Sequence, residues 1–163
     1  MSESVLPALL EWNRAESRRW HAWFTSHPGA LDVSMGAGSS ASVRSLIRHV
    51  FYVDLRYAQR LVGLPVSPVE AIDVADVDGL FALAERAHGL LAGWLATATV
   101  ADLDQSYTFM TLGAGERTAS ARKVVLHACT HHARHWAQIA TVLRIHGEPS
   151  DWRHDFLLSD AMR

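Results

Sequence analysis

Four long intervals of helical apolar spacing, separated by short proline- and glycine-rich breaks, constrain this chain more than any other feature. The first runs from about Val5 to Ser26 with Trp12, Trp20, Trp23 and Phe24 among its apolar residues, and stops at His27-Pro28-Gly29. Residues 34–42 form a small-residue loop that supplies N-caps for a second helix over roughly Val43 to Val62, closed by Gly63-Leu64-Pro65. A third begins at Asp76 and Asp78, whose charge suits a helix start, and continues to about Ala98. Gly79, Gly89 and Gly93 weaken it by propensity, so packing must sustain it. From Gln105 to Thr118 the pattern changes: Tyr107-Thr-Phe-Met-Thr-Leu followed by Gly113-Ala-Gly115 predicts an extended, hairpin-like connection. The fourth helix starts near Ser120 and ends at His146-Gly147, with Pro149 beyond. A short terminal helix near Trp152 to Ala161 is weakly signalled. The expected fold is all-α, one four-helix bundle domain over residues 1–163.

Composition narrows the partners. Apolar residues make up 49% and charged residues 20%, which excludes a disordered or fibrous chain. A net charge of −2 offers no basic surplus to displace counterions, so nucleic acid is not the expected partner. No stretch approaches the roughly 20 apolar residues needed to span a bilayer, and the start Met1-Ser-Glu-Ser-Val-Leu-Pro has no export signal. Cys129, the one cysteine, cannot form an internal disulfide, and a reducing cytoplasm is the expected compartment.

The chemistry concentrates in His127-Ala-Cys-Thr-His131-His132-Ala-Arg-His135-Trp-Ala-Gln138. At about 100° per residue, His127, His131, His135 and Gln138 share one face, and His132 turns into the apolar sector with Val124, Val125, Ala128, Ile139, Val142 and Leu143. Cys129 points away from the histidine row. Burying several imidazoles together leaves donors and acceptors to satisfy, and a divalent cation does so by taking a lone pair from each. The competing readings are histidines hydrogen-bonded in the core, or a pH-sensitive core without metal. Two ligands from one helix do not close a site. His49, on the edge of the second helix's apolar stripe, can face them and leave positions open for water or substrate. Arg56 shares the face of His49 two turns on and is a candidate for holding an anionic group, and Tyr52 or Tyr57 for donating a hydrogen bond. Other schemes lack parts. His132 stands where a zincin needs glutamate, Gly36-Ala-Gly38 is not a phosphate loop, and no nucleophile elbow is present. Glu85-Arg-Ala-His88 is the only Glu-x-x-His motif and reads as a surface or cap feature.

The helix order, the early histidine of the second helix and His127-x-x-x-His131-x-x-x-His135-x-x-Gln138 resemble the DinB-like (DinB/YfiT) family. The likeness is sharpest over about twelve residues of the fourth helix. There the family commonly reads His-x-x-x-His-Arg-Gly-Gln, and here Trp136 and Ala137 replace the arginine and glycine. The resemblance implies a four-helix bundle, often a homodimer, with one divalent ion, zinc or nickel, on His49, His131 and His135. His127 then becomes a pocket-wall neighbour. Related enzymes use the metal to activate a low-molecular-weight thiol, so the expected function is metal-dependent transfer or hydrolysis on a small-molecule substrate. Gln138 is placed to orient a ligand or bound water. The alternative is a non-enzymatic, stress-related bundle whose metal is structural.

Overall fold

A computed structural model describes residues 5–36, 40–71, 74, 76–111 and 115–161. Residues 37–39 of the small-residue loop, with most of Gly36-Ala-Gly38, and residues 112–114 of the connection, with Gly113, lie outside the described residues.

Four long helices carry the fold: α1 (Val5–Ser26), α2 (Val43–Leu61), α3 (Val77–Leu95) and, last in the chain, α5 (Ala121–Ile145). Between α3 and α5 come the one-turn helix α4 (Val100–Asp104) and an antiparallel hairpin of β1 (Ser106–Thr111) and β2 (Gly115–Ser120), paired from Ser106 with Ser120 to Thr111 with Gly115. The expected hairpin connection is therefore present. Helix α3 packs on α1 and α2, and α5 packs on the same two, so the ring runs α1, α3, α2, α5. This is an all-α bundle with a small two-stranded appendage.

Local chemistry sets the boundaries. Ser42 caps α2 by accepting from the Ser45 amide while the Ser45 hydroxyl accepts from the Ser42 amide, a reciprocal capping box. Gly63, at φ 72°, lets the Leu64 amide turn back to the Gln59 carbonyl and close that helix. Asp76 accepts from the Gly79 amide and starts α3. The expected run of α3 to Ala98 stops at Leu95 instead. Thr99 and Asp102 cap one another's backbone, and that second capping box restarts the chain as α4.

The terminal segment also departs from expectation. It holds only a 3-10 turn at Phe156–Leu158. Its path is dictated by tertiary bonds, since the Trp152 indole and the His154 ring both donate to Glu16 of α1, at 3.1 and 2.8 Å. Burial pushes the Glu16 carboxyl up, but these two bonds, with the charges of His154 and Arg19, outweigh it and leave the group below its usual range.

Aromatic rings fill the centre. Trp20 and Trp136 stack with centroids 5.2 Å apart, and Phe24, Phe51 and Phe81 close around them. Trp136 is thus a core residue that joins α5 to α1, which accounts for its place on the helix.

Candidate metal centre

His49 lies near the start of α2, and His131 and His135 lie one turn apart in the middle of α5. Tyr57 packs against His127, so α2 and α5 run antiparallel and bring these turns face to face. The three rings converge through their Nε2 atoms. His131 Nε2 is 3.3 Å from His49 Nε2 and 3.1 Å from His135 Nε2. One hydrogen on His131 cannot serve both neighbours. The His135 Nδ1–H donates to Gln138 Oε1 at 2.6 Å, which leaves the His135 Nε2 lone pair facing the cluster, where the Arg134 guanidinium donates to it at 3.0 Å. His131 Nδ1 is buried without a partner.

These features fit a divalent cation. Tetrahedral ligands at about 2.0–2.1 Å from zinc stand roughly 3.3–3.4 Å from one another, close to the separations found. Burial, then the neighbouring His135, His49, His127 and Arg134, hold His131 down to about 3. Burial also lowers His135 to about 4, with the Gln138 bond opposing and Arg134 assisting. His49 is lowered by burial, against the pull of Asp54. All three therefore offer neutral nitrogens at physiological pH. Gln138 fixes a tautomer as an outer partner does in metal sites.

The cluster opens onto a cavity of about 490 Å³ between α2, α5 and the hairpin. His49, His131, His127 and Arg56 all line it, as does Tyr57. His127 stands one turn before His131, its ring 5.5 Å away. Tyr52 is placed differently. Its ring is buried and its hydroxyl accepts from Arg56, outside the cavity wall. Sequence reasoning missed Arg134, Phe109, Met110 and Arg117 as wall residues. The last three come from the hairpin, and no helical spacing relates them to α5.

A second polar group sits in the core. Asp54, His88 and His132 are each at most 3% exposed and could also hold a metal. Glu85 is at the surface, bound by Arg14 and Arg18, but His88 is buried, which corrects the reading of that motif as wholly a surface or cap feature. His132 spans Asp54 Oδ2 at 2.8 Å and Ser17 Oγ at 3.0 Å, so both ring nitrogens are engaged. This order has the connectivity of a hydrolytic triad, yet Ser17 is sealed from substrate and bonds the Asn13 carbonyl. Cys129 is buried beside it, its thiol pushed up to about 12 by burial and by Asp54.

The family model described as DinB family matches residues 1–159. The chain belongs to the DinB family. No curated protein matches it. Among the described residues, no helix of this DinB-family chain is long and apolar enough to cross a membrane.

Proposed function

We propose that this DinB-family chain is a metal-dependent enzyme, with His49, His131 and His135 holding one divalent ion at the wall of the cavity. The observation that carries this is the approach of His49 and His135 Nε2 to His131 Nε2, at 3.3 and 3.1 Å, with one ligand atom of each residue within 4.8 Å of the others, beside a cavity of about 490 Å³. When bound, zinc or nickel would lower the pKa of water or a low-molecular-weight thiol and make a nucleophile for transfer or hydrolysis.

The chain's own residues do the rest. Gln138 holds the His135 ring in the ligating tautomer. Arg134 donates to the other ring nitrogen, His135 Nε2; an ion held on that nitrogen would displace this bond, leaving the guanidinium's positive charge next to the reacting centre. Arg56 is steadied by the Tyr52 hydroxyl and by the Ser67 carbonyl at 2.9 Å, and faces the cavity. The Tyr57 hydroxyl, raised by burial, stays protonated and can donate to a substrate oxygen. A cavity of this size suits a small molecule.

Metal analysis of the purified full chain tests the proposal. About one ion per chain is expected, lost in His131→Ala with helical content retained. Melting with and without chelator then separates roles. A loss on the order of several kcal/mol would assign a structural metal, and a small loss supports catalysis. A wild-type chain that takes up no zinc or nickel ends the proposal.

A further inference from the structure

The cavity wall has a charge pattern the rest of the chain does not share. The sequence carries 17 acidic side chains against 15 lysines and arginines. Yet Arg56, Arg60, Arg117, Lys123 and Arg134 all line the cavity, and among the described residues no carboxylate does. Lys123 is the only lysine in the sequence. None of the five is paired with a carboxylate among the described residues. Arg56 donates to Tyr52 and the Ser67 carbonyl, Arg60 lies over the Phe109 ring, Arg117 donates to the Glu116 carbonyl, and Arg134 to His135.

Like charges gathered on one wall repel. Arg60 shows the crowding, lowered by burial and by the charge of Arg56. Side chains of this kind, left uncompensated around a concave surface, favour a ligand that brings the negative charge.

Helix geometry gives the spacing. Along α2, Arg56 and Arg60 follow His49 by seven and eleven residues, about 10 and 16 Å of rise. Along the antiparallel α5, Lys123 precedes His131 by eight residues, about 12 Å in the same direction. Arg134 stays beside the histidines. Between the two ends stand Val53 and His127, while Tyr57, Val124 and Phe109, whose ring Arg60 covers, share the cationic end.

We infer that the cavity takes an elongated small molecule bearing two or more carboxylate or phosphate groups. Its reactive end lies at the histidines and Arg134, its body runs past Val53 and His127, and its anionic groups lie on Arg56, Arg60, Lys123 and Arg117. The placement of the reactive end rests on the metal-enzyme reading, and the recognition of the anion does not.

Calorimetric titration of the full chain, as purified and after chelator treatment, tests the inference with two probes, tricarballylate and inorganic pyrophosphate. At least one should bind both samples, and binding should weaken steeply as KCl screens the wall. Tighter binding of tricarballylate assigns carboxylates, and tighter binding of pyrophosphate assigns phosphates. Lys123→Gln and Arg117→Gln should each cost about tenfold in affinity, the loss of one charge-assisted contact. Arg122→Gln, which removes a neighbouring α5 cation engaged by Asp104 outside the cavity, should leave affinity unchanged. Absence of binding in both samples, or binding indifferent to the Lys123 and Arg117 changes, overturns the inference. Because the chelator-treated sample is measured directly, a failed metal site leaves this outcome readable, and the reverse also holds.

Discussion

Acidifying the metal-free protein from pH 7.5 to pH 5 should cost it a large share of its stability. Burial lowers five imidazoles, His49, His88, His127, His131 and His135, and three of them furthest. Burial, then the neighbouring His132 charge, lowers His88 to about 3, and His131 and His135 are lowered to about 3 and about 4. Unfolded, each takes its proton near 6.5. Below that value the unfolded chain binds protons the native one refuses, so stability falls with pH until the native rings titrate near 4 and 3. Each ring contributes roughly 2 kcal/mol of loss by pH 5. His131 and His135 keep some exposure, 7% and 8%, so the three together should give about 3–6 kcal/mol rather than the full total. Glu16 and Glu85 are held below their usual range, and their loss begins only below about pH 4.5, outside this window. Urea melts at half-unit pH steps, in chelator, measure the slope. His88→Leu should remove about 2 kcal/mol from the pH-dependent part alone, because His88 Nδ1 has no partner to lose. A stability that changes by less than about 1 kcal/mol across the range would refute the assignment of neutral, buried rings.

Three further outcomes are expected. Gln138→Leu frees the His135 ring and should weaken zinc binding about 10–100-fold, measured by competition with a chromophoric chelator. Asp54→Ala strips His132 of its 2.8 Å acceptor in the core and leaves a void, and should cost about 2–4 kcal/mol in a denaturant melt. Cys129, buried with its thiol pushed up to about 12, should stay silent to a disulfide reagent at pH 8 in the native protein and react at once in denaturant.

Much of the bundle was legible because its signals are local. The Pro28-Gly29 and Gly63 stops and the Ser42, Asp76 and Ser120 caps act within a turn of where they stand, and the helices begin and end there. The histidine face of α5 was legible for the same reason, since a spacing of four is a property of the helix alone. What the sequence hides is long-range. The Thr99–Asp102 box that ends α3's run is local but short, and the apolar period on either side masks it. His88 appeared in a motif read by its Glu85 end, and only the packing of α3 on α1 and α2 shows that Glu85 meets Arg14 and Arg18 while His88 turns inward. The hairpin's part in the cavity was invisible, because Phe109 reaches α2, and Arg117 the cavity wall, through folding and not through spacing.

His131 and His132 show how one helix serves two incompatible demands. Adjacent residues differ by about 100° around the axis, enough to send His131 to the cavity wall and His132 into a sealed site between Asp54 and Ser17. Neither position tolerates the other's surroundings. A ring facing the cavity must keep a lone pair available, while the core ring must have both nitrogens engaged. The rotation of α5 is therefore fixed twice, by Trp136 stacked on Trp20 and by His132 bound on both sides. That rigidity holds His131 Nε2 of α5 at 3.3 Å from His49 Nε2 of α2, so the buried polar pair acts as the bearing on which the candidate metal centre is aligned.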